Sequence, residues 1–173
     1  MTRIRDAGPD DVEAITAITN ALIATTTIEW REAPYTLDDR RAWLAAKLDA
    51  GFAVLVAVDE AGGEVVGWAG LGDFRDTERW PGYRFTVEHS IHVRRDRWGH
   101  GTGRALLDAL AERARAAGKR VMVAGIDGDN ADAVRFHERV GFVQVGRLPG
   151  VGEKFGRRLD LVLMQRSLVP ELG

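Results

Sequence analysis

Residues 94 to 104 read Arg-Arg-Asp-Arg-Trp-Gly-His-Gly-Thr-Gly-Arg, with Gly99, Gly101 and Gly103 alternating. What flanks this run makes it the strongest constraint on the fold. Before it, residues 86–93 alternate as a strand does, with Val87, His89, Ile91 and Val93 on one face and Glu88, Ser90 and His92 on the other. After it, Ala105, Leu106, Ala109 and Leu110 mark a helix that stops at Gly118. Glycines between a strand and a helix start let several backbone N–H groups converge at the positive end of the helix, a cradle for a phosphate-bearing ligand. Arg94, Arg95, Arg97 and Arg104 surround the run with only Asp96 opposing, a local excess that the net charge of 24 − 26 = −2 conceals. The bland alternative is a flexible strand–helix turn with solvated arginines. Two standard phosphate signatures fail: Arg104 stands where a dinucleotide fingerprint needs its third glycine, and Gly118-Lys119 is followed by Arg120 rather than serine or threonine.

The rest of the chain is consistent with an α/β fold in one domain spanning residues 1–173. A short strand at residues 3–5 precedes Gly8-Pro9-Asp10-Asp11, a helix start, and Val12, Ile15, Ile18 and Leu22 carry that helix to about Ile23. Residues 25–30, β-branched, predict a loop or extended segment. Thr36 and Asp39 form a capping-box signal for a helix through Leu37, Leu44 and Leu48. Residues 53–58 and 65–71 around Gly62-Gly63 read as a hairpin. Beyond the glycine run come a buried-type strand at 121–126, a helix at 131–140 and strands at 142–146 and 159–164, and these strand–helix–strand units predict parallel pairing in the second half.

Composition removes whole classes of chemistry. The 173 residues include no cysteine, which excludes disulfides, zinc–thiolate sites and cysteine nucleophiles and fits a reducing cytoplasm. The two serines, Ser90 and Ser167, sit in no nucleophile elbow. His89 and His92, three apart on a strand, face opposite ways and cannot share a metal, so no metal site is expected. Nothing points to nucleic acid, and neither a signal segment nor a membrane-spanning run is evident. Glu88 is unusual within a strand; in a cleft, burial would lift its pKa toward that of a general base, whereas on an open face it would be an ordinary solvated residue.

The glycine run, the strand to Ile126, Asn130, the helix carrying Arg135-Phe136-His137-Glu138 and the Gly141-Phe142 pair, in this order, resemble the GNAT superfamily of acyl-CoA N-acyltransferases. Within it, Thr86 to Val93, Asn20, Glu32-Ala33-Pro34 with Thr36, Tyr83, and Val151-Gly152 with Lys154, Gly156-Arg157 and Asp160 are similar to the phosphinothricin and methionine sulfoximine N-acetyltransferases, over roughly residues 3–168. The resemblance implies a mixed, mostly antiparallel sheet flanked by helices, with a parallel strand pair splayed at the CoA site. It implies acetyl-CoA as cosubstrate, with Ile91, His92 and Val93 along the pantetheine arm, Trp98, Gly99, His100, Gly101, Thr102, Gly103 and Arg104 at the pyrophosphate, and Asn130 reaching the arm. It implies Glu88 as general base and His137 as general acid or orienting group at the departing thiolate. For a small amino-acid-like amine it implies Phe74, Arg75, Tyr83 and Lys154 as substrate residues, the glycines around Lys154 favouring that cation. The sequence departs from the family pattern at Trp98, Gly99, Ala133 and Arg158.

A direct attack of amine on thioester needs no protein nucleophile, in keeping with the composition. Two other functions stay open: a non-catalytic acyl-CoA-binding or sensing module, and an N-acetyltransferase for peptide or other amine acceptors. Relatives of this kind are commonly homodimers, which five tryptophans and an apolar last strand allow.

Overall fold

A computed structural model describes residues 2–169. The elements in chain order are β1 (Thr2–Asp6), α1 (Val12–Ile23), α2 (Leu37–Asp49), β2 (Val54–Asp59), β3 (Val65–Asp73), β4 (Thr86–Val93), α3 (Thr102–Ala116), β5 (Val121–Asp127), α4 (Ala131–Arg139), β6 (Val143–Lys154) and β7 (Arg157–Ser167). The capping box forms as the sequence predicts: Thr36 Oγ1 accepts the Asp39 N–H at 3.1 Å, and the Asp39 carboxylate accepts the Thr36 N–H at 3.0 Å. Of the three leucines expected to line α2, only Leu44 is buried, while Leu37 and Leu48 stay exposed.

The strands form one seven-stranded sheet in the order β1-β2-β3-β4-β5-β7-β6, every pairing antiparallel except β4 with β5. That parallel pair spans only Thr86↔Val121, Val87↔Met122 and Glu88↔Val123, after which the two strands part. The expectation of further parallel pairing is corrected. The chain leaving α4 does not return beside β5; β6 runs at the sheet edge, and β7 folds back as its hairpin partner and fills the place next to β5. Two irregularities in the β6 register, at Gln144/Gly146 and Leu148/Gly152, let this long hairpin bend.

Two apolar layers hold the sheet. On one face Leu106, Leu107, Leu110 and Ala114 of α3 pack with Val87, Met122, Phe142 and Met164. On the other, Val12, Ile15, Ile18 and Leu22 of α1 and Leu44 of α2 enclose Val54, Val56 and Trp68. Both layers are buried side chains at helical and strand spacing, so the splay between β4 and β5 opens in a sheet held from both sides.

Candidate active site

Where β4 and β5 part, a trough of about 640 Å³ opens. Its walls include Ile91 and Val93 of β4, Gly125 to Asp127 of β5, Asn130, Phe136 and His137 at α4, and Trp98, Gly99, Gly101, Gly103 and Arg104 at the start of α3. Gly99 and Gly101 take φ of 79° and 84°, the left-handed region that a side chain disfavours, and Gly101 caps α3 without a side chain. The loop thus bends so that free amides of the first turn face the trough, which suits an anion. Thr102, the first residue of α3, is buried, whereas the His100 side chain is exposed and does not line the trough.

The arginine cluster is weaker than its sequence suggests. Arg94 pairs with Asp96 at 2.7 Å and with Glu64 at 3.0 Å, and Arg97 with Asp59, both new acids arriving from the β2–β3 hairpin. Arg104 donates to the Arg139 carbonyl at 2.6 Å, beside the end of α4. Trp98, in the place of a polar residue, donates its indole N–H to the Val93 carbonyl at 2.8 Å, so that oxygen already has a partner and Ile91 is the freer of the two expected pairing positions. Asn130 Oδ1 caps α4 by accepting the Ala133 N–H at 3.0 Å, which leaves its amide N–H₂ for a ligand.

His137 is buried at the trough wall, with Nδ1 2.8 Å from the Ala133 carbonyl. A carbonyl can only accept, so Nδ1 carries the proton, and burial lowers the ring's pKa despite that bond. Nε2 of the neutral ring is then an acceptor, and it has no partner among the described residues. His89 stacks on His137 with centroids 5.2 Å apart, and burial together with its neighbouring histidines pushes its pKa down to about 3.

Glu88 closes the parallel pairing and faces a separate cleft of about 180 Å³, lined also by Trp43, Lys47, Gly70, Leu71, Gly72 and Ser90. Ser90 lines both cleft and trough and joins them. Glu88 stays exposed at the cleft, yet partial desolvation raises its pKa, and the Lys47 ammonium opposes the rise.

Of the other expected site residues, Lys154 departs from its expected place. His92 lines the trough beside Glu29, its ring stacked on Trp68 at 4.5 Å with Nε2 2.9 Å from the Glu29 carboxylate. Lys154 faces no substrate: it is buried, and its ammonium donates to the carbonyls of Ile23, Thr26 and Glu29 at 2.8, 2.7 and 2.7 Å. Phe74, Arg75 and Tyr83 cluster with each other, the two rings 5.9 Å apart, and line neither trough nor cleft. Among the described residues no cluster of histidines and carboxylates could hold a metal.

Sequence reasoning missed the loop between α1 and α2. Thr27, Ile28 and Glu29 line the trough, with the Thr27 hydroxyl donating to Asp127 across the splay. The Glu29 carboxylate accepts from Tyr35 at 3.1 Å besides meeting His92, and His92, Arg40 and Tyr35 together lower its pKa against desolvation. Its only sequence signal was a β-branched run with no clear element.

A sheet parted between two parallel strands, a glycine-opened helix start at one end of the gap and a carboxylate at the other describe an acyltransferase that draws on a phosphate-bearing carrier. The comparisons agree. The family model "Acetyltransferase (GNAT) family" matches residues 15–142. An L-methionine sulfoximine/L-methionine sulfone acetyltransferase of Pseudomonas aeruginosa is 50% identical over 96% of this chain and 95% of its own. A phosphinothricin N-acetyltransferase of Alcaligenes faecalis is 40% identical over 95% of this chain and 82% of its own. A GNAT superfamily phosphinothricin acetyltransferase of Sinorhizobium meliloti, solved with acetyl-CoA, superposes with a TM-score of 0.90 at 33% identity, covering 96% of this chain and 88% of that one. The chain belongs to the GNAT acetyltransferase family.

Proposed function

We propose that this protein transfers the acetyl group of acetyl-CoA to the α-amino group of a small amino-acid-like acceptor of the methionine sulfoximine, methionine sulfone or phosphinothricin kind. The observation that carries the reading is the position of Glu88, the last paired residue before β4 and β5 part, in a cleft that meets the trough at Ser90. Identity of 50% to enzymes of that name supports the acceptor class.

When bound, acetyl-CoA supplies a thioester carbonyl that a neutral amine can attack. The acceptor arrives protonated, and Glu88, with its raised pKa, takes that proton at a carboxylate oxygen. Backbone N–H groups near Ile91, on the stretch of β4 without a β5 partner, stabilise the negative charge that builds on the carbonyl oxygen. As the C–N bond forms and the C–S bond breaks, CoA leaves as a thiolate, and the second proton shed by the nitrogen passes through solvent to give the free thiol. The amides from Gly99 to Arg104 hold the phosphates, and the Asn130 amide steadies the arm. His137 orients the reacting end by accepting a hydrogen bond at Nε2, a role that the Nδ1 contact with the Ala133 carbonyl and the lowered pKa of the ring favour over that of general acid.

On this reading the chain works as one domain, in the cytoplasm, as a homodimer. An exposed apolar row on β6, Val143, Val145, Leu148 and Val151, supports the dimer, and the absence of cysteine suits a reducing compartment.

Purified protein is expected to release free thiol from acetyl-CoA when L-methionine sulfoximine, L-methionine sulfone or L-phosphinothricin is added. A flat trace across amino acids, amines and peptides sinks the proposal. Glu88→Gln is expected to lower kcat by about 100-fold or more while leaving acetyl-CoA affinity within about twofold.

A further inference from the structure

The cleft around Glu88 contains a cation that the mechanism above does not use. Lys47, in the last turn of α2, is half-buried, its Nζ 5.1 Å from the centre of the Phe52 ring. Desolvation lowers its pKa, the Glu88 and Asp73 carboxylates raise it, and no hydrogen bond to its ammonium adds to these among the described residues. The opposite strand is cut away to admit it: a Cβ on Gly72 would lie 2.5 Å from Lys47 Nζ and 4.0 Å from Glu88 Cγ. The ammonium and the base therefore flank one point above β3. Lys47 is the only cation lining this cleft among the described residues.

We propose that Lys47 receives the α-carboxylate of the acceptor, so that the cleft is a subsite for the zwitterionic head group of a free α-amino acid. The proposal rests on the reading of the site given above and deepens it. A half-desolvated ammonium gains most from an anion that also donates nothing else to bury, and a carboxylate meets that need with a charge-assisted hydrogen bond. An α-amino acid carries an ammonium and a carboxylate on the same carbon, in an order complementary to Glu88 and Lys47. The cleft, about 180 Å³ and joined to the trough only at Ser90, fits a head group of that size. The ammonium lies toward Glu88 and the trough, the carboxylate toward α2. A peptide N-terminus or a simple amine offers Lys47 no such partner, which makes this residue a determinant of specificity.

The test compares wild type, Lys47→Met, Lys47→Arg and Gly72→Ala with two acceptors, L-methionine sulfone and its carboxamide. Lys47→Met is expected to raise KM for the acid by about 10- to 100-fold, the loss of one charge-assisted hydrogen bond, with kcat falling less than KM rises and KM for acetyl-CoA unchanged. The preference for acid over amide, measured as the ratio of kcat/KM, should collapse by the same factor; where the amide is not turned over, its inhibition constant replaces its KM. Lys47→Arg should recover most of the loss. Gly72→Ala, which crowds only the flexible tip of Lys47, should raise KM for the acid in the same direction in a protein with wild-type thermal stability. Equal losses on acid and amide, or an unchanged KM for the acid, overturn the proposal. A wild type that releases no thiol with any amino acid overturns the functional reading instead, and equilibrium binding of L-methionine sulfone to CoA-saturated wild type and Lys47→Met then decides the Lys47 assignment on its own.

Discussion

As the proposed general base, Glu88 acts only when ionised, and desolvation raises its pKa from the ordinary 4.5. Activity is therefore present above that raised pKa and is lost as pH falls through it. The acid limb of kcat/KM should lie above the 4.5 of an ordinary glutamate side chain and should stay in place in His137→Phe, because burial lowers the His137 pKa and the limb belongs to Glu88; a limb that moves with His137 overturns the assignment. His89 adds a stability effect of definite sign. Its folded pKa of about 3 lies below the unfolded 6.5, so the unfolded chain binds a proton that the folded chain refuses, and stability falls as pH drops from about 6.5 toward 3. Melting temperature should be level above that window and decline within it, with a shallower decline in His89→Leu. At this scale strand and helix periodicity placed Glu88 on β4 and His137 on α4, and the structure puts His137 and the glycines on the trough wall and Glu88 in the adjoining cleft. It misplaced Lys154, since flanking glycines suggested an exposed cation and only the folded chain brings the carbonyls of residues 23, 26 and 29 to it. It also overstated the loop charge, because Asp59 and Glu64 lie thirty or more residues away in sequence from Arg94 and Arg97.

The elements were legible wherever apolar period and caps agreed, as in α1, α2 and the β2–β3 hairpin. The α1–α2 loop was not, because its conformation is imposed from outside. Lys154 grips three of its carbonyls, the Thr27 hydroxyl reaches Asp127 of β5, and Trp30 fills the space above Gly152, where a Cβ would come within 2.1 Å of the indole. The β6–β7 hairpin thus holds the loop that forms one wall of the trough. Lys154→Met leaves those carbonyls without their donor and should destabilise the protein by roughly 2–5 kcal/mol, read as a lowered urea midpoint with an unchanged slope. Because the wall carries Thr27 to Glu29, the same variant should raise KM for acetyl-CoA in protein that remains folded; a stability loss with unchanged KM would leave the loop a structural element only.

Across the whole molecule, a seven-stranded sheet has two open edges, β1 and β6. The second carries the exposed apolar side chains. Val143, Val145, Leu148 and Val151 on β6 retain 60, 52, 44 and 55% of their accessible surface, whereas the last strand, β7, buries Leu159, Val162 and Met164 in the core. The apolar last strand, read from sequence as room for a dimer, is largely core, as is Trp68, while Trp80 and Trp98 stay exposed; the longest apolar run at the surface belongs to a strand whose length the sequence concealed behind Gly146, Pro149 and Gly150. An unprotected apolar edge invites edge-to-edge association, and in a homo-oligomer the solution that closes is a two-fold pair in which each copy covers the other's β6. Sedimentation equilibrium should therefore report a species of twice 19.0 kDa. Val145→Lys together with Val151→Lys places two cations on each face of that pair, and should yield a monomer at the same protein concentration with its far-ultraviolet circular dichroism intact. If wild type and double variant sediment alike as dimers, the contact lies on another face; if both are monomers at tens of micromolar, the β6 row is not a self-association surface.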